Sequence, residues 1–337
     1  MLGSRDLGHR VVVRHIVGIR DNRPVFSDVL GELVELTESE VTVATRGGPV
    51  RVAVARIHRA RRVPPRRRPG GPELRELELA AAAGWPAPET ARLGDWLLRA
   101  GAGWTARANS ALPLGDPGVP LAAAVDEVIR WYRHRDLRPM VSVPLPYAAP
   151  VDAELVRRGW PYRARTLVQT AALADLHSRA DPARAAAPTG DASAGNGVDP
   201  VVRLTPTPSR EWLALVAGRK GQLPPVARHL LTAVDPVRFA EVRAIDGALL
   251  AVGRGAVTGA AADGRGWLGL SLVEVIPAAR RRGLARRVVA ELARWAAGRG
   301  ADRAYLQVEE QNAAAVACYA RLGFRTHHEY LTRYAPG

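Results

Sequence analysis

Cysteine is almost missing from this chain: Cys318 is the only one in 337 residues. That excludes an intrachain disulfide and a cysteine-rich metal site. Lysine is equally scarce, with Lys220 alone, so the positive charge is carried by arginine. No apolar run approaches the about 18 residues that a membrane-spanning helix needs. The first residues, Met1 to Asp6, lack the apolar core of a signal peptide. The expectation is a cytoplasmic protein without a membrane partner. What is present is ordinary for a globular chain: 47% hydrophobic and 24% charged residues. The length predicts two domains, with room for a small third.

The formal net charge is +15. Charge of that size points to nucleic acid or another polyanion unless its location says otherwise. Two segments carry most of it. Arg56, Arg59, Arg61, Arg62, Arg66, Arg67 and Arg68 form the first, and Arg280, Arg281, Arg282, Arg286 and Arg287 the second, with no acid inside either. The first is broken by Pro64-Pro65 and followed by Pro69-Gly70-Gly71-Pro72, which reads as a linker. The second runs into a strongly helical segment.

Residues 1–63 read as all-β. Val11-Val12-Val13, Val29 to Leu36 and Val41 to Ile57 are valine-rich and alternate in places, and Gly47-Gly48-Pro49 marks a hairpin. Several short strands in so few residues predict a small SH3-like β-barrel. A linker over 64–72 follows, then a middle block over 73–177. Small polar residues over 178–200, such as Gly190-Asp191-Ala192-Ser193-Ala194-Gly195, predict a flexible linker before a C-terminal block over 201–337.

The two blocks read as copies. At a constant offset of 164, Pro113 meets Pro277, Glu127 meets Glu291, Arg130-Trp131 meets Arg294-Trp295, and Gly159-Trp160 meets Gly323-Phe324. Each copy would run through a helix with an inward-facing Trp, a strand, a second helix, a Gly-aromatic pair and a last strand.

The chemistry concentrates in the second copy. Leu272-Val273-Glu274-Val275-Ile276 is an apolar strand stopped by Pro277. Arg280-Arg281-Arg282-Gly283-Leu284-Ala285 follows, and then Val288, Val289, Leu292 and Trp295 recur at helical spacing. A helix start offers unsatisfied N–H groups and partial positive charge, so phosphate is its natural guest. Gly283 admits close backbone approach, Ala285 keeps the entry clear, and the arginines add charge-assisted bonds. Cys318 reads as a small buried hydrophobe. His327 and His328 are neighbours on a strand and so would face opposite ways, which disfavours a shared metal. No metal is expected.

Arg280-x-x-Gly283-x-Ala285 after an apolar strand resembles the Q/R-x-x-G-x-G/A signature of the GCN5-related N-acetyltransferases. Leu306-Gln307-Val308, Asn312-Ala313-Ala314-Ala315 and Tyr319-Ala320-Arg321-Leu322-Gly323-Phe324 resemble the rest of that family's C-terminal pattern. The resemblance implies an α/β (α+β) fold. Here it would be a tandem of acetyltransferase-like folds, the first degenerate, preceded by the SH3-like barrel. It implies acetyl-CoA as co-substrate and direct transfer to a primary amine. The cofactor would lie on Arg280, Arg281, Arg282, Gly283, Leu284, Ala285 and Arg286, along Val273 and Val275, and against Asn312. Tyr319 would be the general acid, and the Val275 amide would polarise the thioester carbonyl. In relatives that acylate protein N-termini a Glu stands where this chain has Gln307, so the base is sought in Glu274 or Glu309. The middle block carries Asp116, Val119, Ala148 and Leu155 where the second copy has Arg280, Gly283, Asn312 and Tyr319. It is therefore expected to bind no CoA. Within Gly103 to Ser110, Arg107 and Asn109 read either as strand-and-turn residues or as acceptor contacts. The overall layout also resembles high-GC bacterial histone-acetyltransferase-like proteins, which suggests a lysine of a basic nucleoid protein, or else a small amine, as acceptor. The alternative is a nucleic-acid-binding or regulatory protein using the barrel and Arg56–Arg68, with the acetyltransferase fold sensing CoA.

Overall fold

The computed structural model describes residues 2–20, 23–45, 48–63, 70–180, 201–259 and 265–337. The chain forms two compact units, Met1–Arg68 and Pro69–Gly337.

The first unit holds β1 (Arg10–Arg20), β2 (Arg23–Leu36), β3 (Glu40–Thr45), β4 (Gly48–Ala53) and β5 (Ile57–Arg62). All neighbours pair antiparallel, in the order β4-β3-β2-β1-β5. One face buries Val11, Val13, Val29, Leu33, Val41, Val43 and Val52. The expected barrel is thus an open five-stranded sheet: among the described residues no pairing joins β4 to β5. A single 3-10 turn, Val54–Arg56, carries the chain from one edge to the other, and bulges in β1 and β2 bend the sheet.

The second unit is organised by one eight-stranded sheet. Its first part supplies α1 (Gly71–Gly84), the hairpin β6 (Glu89–Leu93) and β7 (Trp96–Ala100), α2 (Leu121–Arg133), β8 (Met140–Leu145), α3 (Ala149–Arg157), β9 (Thr166–Ala172) and α4 (Leu173–Ala180). Its second part supplies β10 (Val202–Thr205), α5 (Arg210–Lys220), α6 (Pro225–Thr232), β11 (Val237–Arg243), β12 (Leu249–Thr258), β13 (Gly266–Val275), α7 (Leu284–Ala297), β14 (Ala301–Glu309), α8 (Ala313–Arg321) and β15 (Arg325–Tyr334). Helix α1 begins inside the stretch expected as a linker, and α4 runs into the next one. The remainder of that second stretch, 181–200, lies outside the described residues.

The duplication is visible in these spans. Helix α3 occupies 149–157 and α8 occupies 313–321, a shift of 164 at both ends, and α2 and α7 match to within one residue. The tryptophans shared by α2 and α7 are half buried rather than wholly inward. Arg135 covers Trp131 at 3.8 Å from its centroid, and Arg238 covers Trp295 at 5.5 Å.

The last strands are exchanged. The sheet order is β10-β11-β12-β13-β14-β9-β15-β8. Strand β9 of the first part pairs with β14 of the second, and β15 of the second pairs with β8 of the first. The two copies therefore share one sheet. Arg333 on β15 fixes this arrangement: it is 7% exposed, donates to Asp152 Oδ1 on α3 at 2.6 Å and to Trp160 O at 2.8 Å. Helix α7 packs closely on β12. A Cβ at Gly253 would stand 2.5 Å from Val288 Cγ1, so only glycine admits the helix at that depth.

The expectation that His327 and His328 face opposite ways is corrected. Their Nδ1 atoms lie 2.9 Å apart and their ring centroids 5.1 Å. The register of β15 on β9 shifts between Thr326 and His328, and this bulge breaks the strict alternation. Among the described residues no three His, Cys, Asp or Glu side chains cluster as a metal site would require.

Candidate active site

Strands β13 and β14 run parallel, and their pairing ends at Leu270 and Leu306. Beyond that point they part, and a cavity of about 580 Å3 opens between them. A bulge in β13 shapes one wall. Leu272 takes φ +53, and the register on β12 jumps between Val252 and Arg254. Val273 and Glu274 are thereby turned to the cavity wall. Val275 pairs with Ala251, and the next residue, Ile276, donates its N–H to Leu250 O at 3.0 Å. Amide directions alternate along an antiparallel strand, so the Val275 amide points away from β12 and toward the open side.

The arginine loop lies between β13 and α7. Pro277–Ala279 makes one 3-10 turn, Arg280 is extended, and Arg281 and Gly283 take φ +63 and +78. Gly283 is the N-cap of α7 in the left-handed region, with no side-chain cap. A residue with Cβ is strained there. The first backbone bond of α7 runs from Arg287 N to Gly283 O, so the amides of Leu284, Ala285 and Arg286 precede the ladder and face outward. Arg280, Arg281 and Arg282 are exposed, whereas Leu284 contributes only its amide because its side chain is core. Arg286 is half buried, and its Nε is enclosed without a hydrogen-bond partner among the described residues. Uncapped amides, a guanidinium with an orphaned donor and open space at Gly283 fit a pyrophosphate.

Tyr319 on α8 lines the cavity and stacks edge-on against Phe324 at 5.8 Å. Burial, followed by the neighbouring Cys318 and Glu274, holds its phenol well above its ordinary range. It therefore stays protonated at neutral pH. Asn312 caps α8: its Oδ1 accepts the Ala315 N–H at 3.2 Å. The carboxamide oxygen is thus engaged, while the residue still borders the cavity. Glu274 is inside rather than on the surface, 13% exposed and ion-paired with Arg219 of α5. Glu309 sits on the exposed rim and accepts from Gln311 Nε2 at 3.1 Å. Gln307 accepts from Tyr330 Oη at 3.2 Å.

Other lining residues lie outside the C-terminal motif. Trp85, Trp104 and Arg107 come from the first part of the unit, Arg219 from α5, and Tyr330 and Thr332 from the exchanged β15. The tryptophan rings lie 5.7 Å apart, and Trp85 Nε1 donates to Thr105 Oγ1 at 3.2 Å. Of the pair singled out in Gly103–Ser110, Asn109 is a turn residue. It is 1% exposed, accepts from Gly101 N and Gly103 N, and donates to Trp104 O and Thr105 O. Arg107 is the one that reaches the cavity.

The corresponding positions of the first copy are built differently. Asp116 Oδ1 accepts the Gly118 N–H at 2.8 Å, so that loop satisfies its own amide with its own carboxylate. Val119 is exposed, Ala148 caps α3 without a side-chain bond, and Leu155 is fully buried. In the first unit, Arg62 pairs with Asp6 at 3.1 Å. Arg66, Arg67 and Arg68 lie outside the described residues.

Comparison with known proteins agrees with this architecture. The family model described as "Probable histone acetyltransferase Rv0428c C-terminal" matches residues 71–335. The probable histone acetyltransferase Rv0428c of Mycobacterium tuberculosis is 34% identical over the whole of this chain and 97% of its own length. The uncharacterized N-acetyltransferase YobR of Bacillus subtilis is 28% identical over 77% of this chain and 99% of its own. Among solved structures, a GCN5-related N-acetyltransferase from Kribbella flavida shares the fold, with a TM-score of 0.51 at 17% identity, over 78% of this chain and 95% of that one. This chain belongs to the family of the Rv0428c C-terminal region, and it shares the fold of a GCN5-related N-acetyltransferase.

Proposed function

We propose that the protein transfers an acetyl group from acetyl-CoA directly to a primary amine. The carrying observation is the protonated, half-buried Tyr319 lining the cavity together with Val273, Glu274 and Asn312, where the strand that ends at Val275 leads into the uncapped start of α7. Bound acetyl-CoA supplies the activated thioester. Arg280 to Arg286 and the first α7 amides hold its pyrophosphate. The free edge of β13 at Val273 and Val275 aligns its arm, and Asn312 borders it. The amide of Val275 donates to the carbonyl oxygen as charge develops there. Tyr319 donates its proton to the departing sulfur as the C–S bond breaks and the N–C bond forms.

The amine must shed a proton, and Glu274 is better placed than Glu309 to take it. It is enclosed beside Tyr319, while Glu309 stands at the exposed rim. Arg219 orients the Glu274 carboxylate. The first copy binds no CoA, because Asp116 already occupies its loop amide and would repel phosphate. Its task is to complete the sheet and supply Trp85, Trp104 and Arg107. The acceptor class is either a lysine of a basic protein, as the name of the mycobacterial relative suggests, or a small amine.

Calorimetric titration with acetyl-CoA, paired with a coenzyme-release assay, tests this reading. Wild type should bind, and Gly283→Asp should abolish binding by straining the cap and placing a carboxylate against phosphate. Absence of binding to the wild-type protein would end the proposal.

A further inference from the structure

Arg107 and Arg254 both lie over the ring of Trp85, which lines the cavity, and Arg99 shares a small adjoining void with Arg107. Arg99 and Arg254 are 3% and 1% exposed. Arg99 is satisfied by Ser110, through its carbonyl at 2.9 Å and its hydroxyl at 3.0 Å. Arg254 donates to Leu231 O at 2.8 Å and Gly84 O at 3.1 Å. These partners are neutral. Arg107 is half buried and, among the described residues, makes no hydrogen bond or ion pair. Its guanidinium rests only over Trp85, 5.5 Å from the ring centroid, with Arg254 5.1 Å from the same ring. Glu78 is the carboxylate that lines this small void. It faces Arg99 and Arg107 across a void of about 10 Å3, room for a single water. Glu78 is already bonded to His328 Nε2 at 2.8 Å. Arg163 adds a further cation at the exposed rim.

Partly buried positive charge is costly unless a counter-charge meets it. A guanidinium offers a planar fork that matches a carboxylate or phosphate. Arg107 keeps that fork free, at a cavity wall, beside two indole rings suited to an apolar spacer. We propose that Arg107 is the subsite for an oxyanion carried by the acceptor. The acceptor is then a small amine joined through a short apolar segment to a carboxylate or phosphate. A lysine-rich tail fits poorly, because it would bring cations to a place that already holds three guanidinium groups. This inference rests on the acetyl-transfer reading and narrows its acceptor.

The test uses the full-length protein, saturating acetyl-CoA and matched amines in the coenzyme-release assay. The amines are 5-aminopentanoate, 3-aminopropyl phosphate, 1-aminopentane and a lysine-rich peptide. At least one oxyanion-bearing amine should exceed 1-aminopentane in kcat/KM by about 10- to 100-fold, as one charge-assisted bond allows. The better of the two identifies carboxylate or phosphate as the natural group. Arg107→Gln should collapse that ratio, chiefly through KM, and Arg107→Lys should restore part of it. Acetyl-CoA binding is followed by calorimetry in parallel, which also reports that each variant is folded. Loss of acetyl-CoA binding by wild type would sink the acetyl-transfer reading itself. Intact binding with a preference for 1-aminopentane or the lysine-rich peptide, with no turnover of either oxyanion-bearing amine, or with a ratio that Arg107→Gln leaves in place, would overturn the subsite.

Discussion

Replacing Tyr319 with Phe removes one hydroxyl and nothing else. The ring packs edge-on against Phe324 at 5.8 Å, and that contact survives the change. Among the described residues the hydroxyl makes no hydrogen bond to a protein group, so stability should move by less than about 0.5 kcal/mol. The chemical effect is far larger. Burial keeps the phenol protonated and its value well above the ordinary range, so it is a donor through the whole neutral range. Loss of a positioned general acid removes about 100- to 10,000-fold in rate. That corresponds to about 3 to 5 kcal/mol of transition-state stabilisation, at about 1.4 kcal/mol for each tenfold. The direction of the shift also fixes the pH behaviour. A raised phenol gives no loss of activity on its account until the pH passes its ordinary value of about 10. The assay is coenzyme release at saturating acetyl-CoA, with calorimetric affinity for acetyl-CoA measured alongside. The expected outcome is a collapse in kcat with affinity retained. A Tyr319→Phe enzyme within threefold of wild-type kcat would refute the assignment of the proton donor.

Three further outcomes are expected. Glu274→Gln should lower kcat by about 100-fold or more, as loss of a general base does, while Glu309→Gln at the rim should stay within a few-fold; the reverse order in the same assay would move the base to Glu309. Gly269→Ala should destabilise the fold by about 1–3 kcal/mol through overpacking, because a Cβ there would overlap the hydroxyl of Tyr305, which is 2% exposed; an unchanged thermal midpoint would show that the site has slack. Burial, with the adjacent His328, pushes His327 down to about 4. Its folded value is below its unfolded one, so its contribution is complete above about pH 6.5 and is lost as the pH falls toward 4. Denaturant midpoints at pH 7 and 4.5 should converge in His327→Gln; an unaltered acid slope would contradict this.

The sequence alone determined the features that depend on near neighbours. Valine alternation marked the strands of the first unit. The run from Arg280 to Ala285 ahead of an apolar helical stripe marked the α7 start, because capping and periodicity act within a few residues. The offset of 164 placed α3 and α8 with matching ends, since both copies keep the same helix signals. The tertiary structure decided what depends on distant pairing. Exchange of β9 and β15 is invisible to periodicity, because either strand fits either edge and only packing of the whole sheet selects one. That exchange brings Tyr330 and Thr332 to the cavity and sets His328 against Glu78. The bulge in β15 brought the two histidine rings together where alternation alone would separate them. Whether five strands close into a barrel is likewise set by strand curvature and the meeting of edges. Arg107 and Asn109 show the same division within a single turn. They are two residues apart in sequence, yet burial made one a scaffold and left the other a free cation at the cavity wall.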